Sequence, residues 1–171
     1  MKMLVLSDNH GRYDLVMNLL SQWRDKVDYI FHTGDSEFSS GDVIWGLVDG
    51  VVKGNMDFDP GYEIETFINT PAGKVALSHG HYYGVNHGLG GVKDLAQTNG
   101  AKFMFHGHTH KLYARMEEGI LFVNPGSLNH SRGPEPERTF AVVEVNENQI
   151  KVDFYDDDQQ KLDRLSQQFD L

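Results

Sequence analysis

Five short polar clusters carry the residues able to do chemistry: Asp8-Asn9-His10, Gly34-Asp35, Gly54-Asn55, His79 and His108-Thr109-His110. Their reactive side chains are carboxylates, imidazoles and a carboxamide. The 171 residues include no cysteine, which excludes disulfides, thiolate metal sites and cysteine nucleophiles. Any bound ion must therefore be held by His, Asp, Glu or Asn, a donor set suited to hard or borderline divalent metals. Taken singly, such patterns recur by chance, and Asp8 or Asp35 alone reads more readily as a carboxylate capping the next turn. Together, each cluster directly follows a predicted strand. Loops at the carboxyl ends of strands form the ligand crevice of an α/β sheet, so the clusters are expected to converge.

The elements that must position them follow from hydrophobic period. Leu4 to Ser7, after Met3, is a short apolar run ended by Asp8, as in a buried strand. Leu15, Val16, Leu19, Leu20 and Trp23 share one helical face within residues 12–24. Strands over Val27–His32 and Gly50–Lys53 lead into Gly34-Asp35 and Gly54-Asn55. Tyr62–Ile68 and Val75–His79 read as a hairpin turning at Pro71-Ala72-Gly73-Lys74, followed by a glycine-rich loop from Gly80 to Gly91. A helix over Val92–Thr98 closes at Asn99-Gly100, and a strand over Ala101–Phe105 runs into His106-Gly107-His108. Antiparallel strands are expected at Tyr113–Met116, Ile120–Asn124, Thr139–Val145 and Gln149–Tyr155. Beyond Asp156 the polar tail, about residues 157–171, spaces Leu162, Leu165 and Phe169 as a weak amphipathic helix.

The ordered series D-x-H, G-D, G-N, a lone strand-end His and G-H-x-H resembles the calcineurin-like metallophosphoesterase superfamily. Ser-Asp-Asn-His-Gly at 7–11, Gly-Asn-Met-Asp at 54–57, Ser-His-Gly-His at 78–81 and Asn-Pro-Gly-Ser at 124–127 place the chain near the small YfcE-type phosphodiesterases. The resemblance spans Met1 to about Val145. It implies an α/β (α+β) fold: one domain over 1–171, a four-layer αββα sandwich of two mixed sheets flanked by helices. It also implies two divalent ions, manganese first, with iron, nickel or zinc also compatible. Asp8, His10, Asp35 and His110 would hold one ion, and Asp35, Asn55, His79 and His108 the other, with Asp35 as the bridge. Asp35, Asn55, His79 and His108 are the implied catalytic set. The implied reaction is in-line attack on phosphorus by a hydroxide shared between the ions. Two such ions bring four positive charges against two carboxylates, leaving the centre cationic toward a phosphate.

One position departs from the superfamily pattern. The residue after Gly-Asn, usually a His able to protonate the leaving oxygen, is Met56, whose thioether cannot donate a proton. His81 or a bound water is the alternative acid. His81 and Arg132 are candidate substrate contacts, although a plain surface Arg reads as readily. His32 and His106 fit beside the core, where they can orient ligands, His87 is as readily a solvated residue as a substrate contact, and Tyr82 and Tyr83 either stack on substrate or pack the loop.

Composition limits the partners. A net charge of −10 opposes long nucleic acids and anionic membrane surfaces. The N-terminal apolar run is too short for a signal sequence and no segment suits a membrane span, so a soluble, cytoplasmic protein is expected. Its expected partner is a small phosphoester, with self-association into a dimer or larger homo-oligomer suggested by the resemblance. Two other readings remain open: a non-catalytic interaction scaffold of the same fold, as in the retromer subunit, and a phosphomonoesterase.

Overall fold

A computed structural model describes residues 1–171. The first sheet contains β1 (Lys2–Leu6), β2 (Tyr29–His32), β3 (Gly50–Val51), β9 (Thr139–Val145), β10 (Gln149–Asp156) and β11 (Gln167–Asp170). The second contains β4 (Glu65–Thr70), β5 (Gly73–Ser78), β6 (Ala101–Phe105), β7 (Tyr113–Glu117) and β8 (Ile120–Asn124). Their orders are β11-β10-β9-β1-β2-β3 and β4-β5-β6-β8-β7. Both sheets are mixed: β1, β2 and β3 run parallel in one, and β5, β6 and β8 in the other, with antiparallel neighbours outside them.

Side-chain alternation explains the layers. Met3 and Val5 enter the space between the sheets, with Phe31, Leu77, Phe105 and Phe154. Leu4 and Leu6, on the opposite face of β1, meet Val16, Leu19 and Leu20 of α1 (Tyr13–Trp23). A strand buried on both faces must be a continuous apolar run, which is why Met3 to Leu6 lacks polar alternation. On the far side, α2 (Gly90–Thr98) lays Val92 and Ala96 against Ala76, Met104 and Phe122. The result is the four-layer αββα sandwich. No helix is long and apolar enough to cross a membrane.

Several boundaries shift. β2 starts at Tyr29 rather than Val27, β3 is only two residues long, and β4 begins at Glu65, leaving Pro71-Ala72 as the hairpin loop. α2 starts at Gly90, earlier than its apolar period indicates, and short 3-10 turns occupy Val43–Leu47, to which the sequence assigns no element, and His81–Tyr83, inside the expected glycine-rich loop. The tail is a correction: residues 163–165 form a 3-10 turn, and Gln167–Asp170 pairs antiparallel with β10 instead of forming an amphipathic helix. The open edge of β10 offers unpaired backbone groups, and pairing there lets Leu165 and Phe169 pack against the inter-sheet core.

Candidate metal centre

Parallel strands end on the same side, so β1, β2 and β3 in one sheet and β5, β6 and β8 in the other deliver their following loops to one rim. β1 runs through Ser7 into Asp8. The Ser7 hydroxyl (2.6 Å) and the His108 N–H (3.1 Å) both donate to Asp8 Oδ2. Asp8 Oδ1 is buried with no hydrogen-bond partner. It lies 3.1 Å from His110 Nε2 and 3.8 Å from both His10 Nε2 and His79 Nε2. A buried, unpaired carboxylate oxygen is costly unless a cation completes its surroundings.

Asp35 stands between two clusters. Its Oδ1 accepts the Met56 N–H at 2.8 Å, while Oδ2 lies 3.2 Å from His79 Nε2 and 3.8 Å from His10 Nε2. On the side away from His10, Asn55 Oδ1 is 3.0 Å from both His79 Nε2 and His108 Nδ1. All seven residues proposed from sequence as metal-holding therefore meet at this rim, Asp35 within reach of both groups.

The outer hydrogen bonds orient the rings. Nδ1–H donates to Thr33 O from His79 (2.8 Å), to His130 O from His110 (2.9 Å) and to Glu37 from His10 (3.1 Å). Each ring then aims Nε2 inward, free to offer a lone pair once any proton there is displaced, the arrangement that second-shell partners impose on metal-ligating histidines. His10 Nε2 and His110 Nε2 face each other at 3.2 Å, a separation that either a proton on one ring or a bound cation satisfies. The residues present thus fit divalent ions.

Electrostatics agrees. Burial would raise the Asp8 carboxyl, but His79 and His110 outweigh it and hold it below the usual carboxylate range. Asp35 is likewise lowered, burial being outweighed by His79. Burial alone would depress His79, yet Asp8 and Asp35 push it up to about 9. Without metal, a proton supplies the charge the site needs.

Packing at the rim is tight enough to dictate its glycines. A Cβ on Gly54 would sit 2.0 Å from Asp35 Oδ1, and one on Gly107 would sit 2.4 Å from Asp8 Oδ2. The glycines of G-N and G-H are the space through which the two carboxylates pass. Asp8, His10, Asp35, His108 and His110 all have φ between 42° and 73°, a left-handed conformation that costs a non-glycine residue about 1–2 kcal/mol.

Sequence reasoning missed several supporting residues. The buried Asp57 carboxylate accepts the N–H groups of Asp35, Glu37 and Gly54, each at 2.8 Å, and so holds the backbone around Asp35. Its signal was its place in Gly-Asn-Met-Asp. Asn9, the middle residue of D-x-H, donates to Gly11 O and Ser36 O, while the His32 ring donates to Asn9 Oδ1 at 2.6 Å. His32 and His106 are buried and neutral, burial pushing each down to about 4, and His106 lies between the Tyr113 hydroxyl (2.6 Å) and the Gly107 carbonyl of the rim (3.0 Å). In Asn-Pro-Gly-Ser, Ser127 donates to Asp8 O and Asn124 to Gly107 O. Asn86, in the glycine-rich loop, lies 3.1 Å from His108 Nε2.

The candidate substrate contacts divide. The His81 ring is 5.3 Å from His79 and 6.0 Å from His108, and lies tilted against Tyr82 at 4.1 Å. Burial, with His79 and His108 nearby, pushes His81 down to about 4, so it is neutral at pH 7 and poorly suited to serve as the acid. Arg132 is exposed, and its backbone N–H donates to His110 O. His87 is exposed, and the Tyr83 hydroxyl bonds Glu65.

Known proteins share this architecture. The family profile described as the calcineurin-like phosphoesterase superfamily domain matches residues 1–148. Probable metallophosphoesterase YsnB of Bacillus subtilis (strain 168) is 31% identical over 158 residues, covering 91% of each chain. The crystal structure of a conserved protein from Streptococcus pneumoniae TIGR4, described as a predicted phosphoesterase, is 35% identical with a TM-score of 0.96, covering 99% of this chain and 97% of that one. Vps29 from Entamoeba histolytica, solved in complex with Zn²⁺, shares the fold at 22% identity and a TM-score of 0.73, with 99% of each chain covered.

Proposed function

Because the chain belongs to the calcineurin-like phosphoesterase superfamily, we propose that it hydrolyses small phosphodiesters at a centre of two divalent ions. Asp8, His10, Asp35 and His110 would hold one ion, and Asp35, Asn55, His79 and His108 the other. The observation that carries this reading is the unpaired, buried Asp8 Oδ1 beside three imidazoles, next to an Asp35 oxygen within reach of both clusters. When bound, the ions supply Lewis acidity and an activated water for attack on phosphorus.

The chain's own residues fix the geometry. Ser7 and the His108 N–H hold one Asp8 oxygen so that the other faces inward, and Asp57 fixes the Asp35 backbone. Thr33, Glu37 and His130 aim the imidazoles. Glu37 adds negative charge at the rim, and Met56 supplies no proton. Both features suit a singly charged diester with a good leaving group better than a dianionic monoester. Manganese is the first ion to test, with iron, nickel and zinc as alternatives, and the proposed setting is cytoplasmic, in a homo-oligomer.

The test is an assay of Mn²⁺-loaded protein on a chromogenic diester and the matching monoester. Turnover that favours the diester and is lost in Asp35→Asn and His108→Ala is expected. No turnover, or unchanged turnover in both variants, overturns the reading. The scaffold alternative shares the fold but has no use for seven converging donors. Failure to retain metal after dialysis against Mn²⁺ or Zn²⁺ would favour it.

A further inference from the structure

Large apolar side chains are exposed at few places, and two of them adjoin the candidate metal centre. Phe58 is 80% exposed and Met56 39% exposed. Single exposed apolar residues are ordinary. These two, however, line one cleft of about 310 Å³ with Phe38, between residues 37–39 and 56–59. Its walls adjoin the metal cluster through two residues. Met56 follows Asn55 and donates its N–H to Asp35, while Glu37, on the opposite wall, accepts from His10.

The charges around the cleft narrow its occupant. Glu37, Asp57 and Asp59 line it, and no Lys or Arg does. Asp57 is committed to backbone N–H groups of the rim, and Asp59 accepts the Ser40 and Gly61 N–H groups. A second phosphate or a carboxylate entering here would meet only negative charge, whereas a neutral ring would find the exposed face of Phe58, Phe38 beside it and a polarizable thioether.

We infer that this cleft is the subsite for a neutral aromatic substituent of the phosphoester, with Phe58 as its stacking face and Met56 as the adjoining apolar wall. The inference rests on the phosphoesterase reading, because it places the phosphate at the metal centre. It names the substrate class more narrowly: an aryl or nucleoside-like ester carrying one phosphate.

Calorimetric titration of the Mn²⁺-loaded protein with methyl phenyl phosphate and dimethyl phosphate, two singly charged diesters, separates the ring from the phosphate, and hydrolysis of bis(4-nitrophenyl) phosphate is followed in parallel. Methyl phenyl phosphate is expected to bind about 3- to 10-fold tighter than dimethyl phosphate, the range for one aromatic contact. Phe58→Ala should bring that ratio close to one with dimethyl phosphate affinity unchanged, and Phe58→Trp should keep it. Phe58 is mostly exposed, so its removal leaves the core intact. Equal affinities in the parent protein, no measurable methyl phenyl phosphate binding, or an unchanged ratio in Phe58→Ala overturns the subsite. A Phe58-dependent ratio without hydrolysis of the diester supports the subsite and overturns the hydrolytic reading alone.

Discussion

Asp57 shows how much of the centre depends on a residue that touches no reacting group. Its carboxylate accepts three backbone N–H groups, from Asp35, Glu37 and Gly54. Asp57→Ala leaves all three unpaired and should destabilise the protein by on the order of 3 kcal/mol in urea denaturation, with kcat falling as Asp35 loses its anchor. An unchanged urea midpoint would show the anchor to be dispensable. His79 sets the pH behaviour of the metal-free protein. Its pKa, raised from 6.5 to about 9, stabilises the fold fully below pH 6.5, and that contribution is lost as pH rises through about 9. A metal ion must displace the same proton. Metal affinity should therefore climb between pH 7 and pH 9, and calorimetry in buffers of different ionisation enthalpy should detect proton release. A flat affinity over that range would contradict the His79 assignment.

At the scale of elements, the rim exists because strand ends approach to within one missing Cβ. Gly54→Ala would put a methyl group 2.0 Å from Asp35 Oδ1, so it should reduce bound metal and cut turnover roughly 100-fold while far-ultraviolet circular dichroism stays native. Undiminished metal binding would show that the loop after β3 can yield. The strand-end clusters were legible in sequence because a buried strand announces itself as an apolar run and its first polar residue marks its end, as Leu6 to Asp8 does. The same logic did not single out Asp57, although it stands in Gly-Asn-Met-Asp, or Glu37, because what they hold lies mostly far along the chain: the Asp35 and Glu37 N–H groups are 22 and 20 residues from Asp57, and the His10 ring is 27 residues from Glu37. It also misread the tail. Leu165 and Phe169 stand four apart, as on a helix, and only the vacant edge of β10, a tertiary fact, makes Gln167–Asp170 a strand.

For the whole molecule, the charge of −10 is uneven: residues 144–171 carry 8 acidic and 3 basic side chains, at the β10–β11 edge of the first sheet. The field a phosphate meets is instead governed by the rim, where bound divalent ions would offset Asp8 and Asp35. Ions that bind the folded chain also stabilise it. Free Mn²⁺ at about 100 times its Kd should add about 2.7 kcal/mol per site, raising Tm by roughly 5–10 °C in a domain of this size. Asp8→Ala should abolish most of that shift, and an equal shift in this variant would place the ion elsewhere. The unpaired oxygen of Asp8 has a consequence in time as well as in space. Its nearest imidazole belongs to His110, 102 positions along the chain and in the other sheet's loops. No fragment made early in synthesis can assemble that pair. The centre comes into being only when the two sheets dock, so ion capture marks the end of folding rather than seeding it, and a half-finished chain offers scattered histidines with no preformed cage.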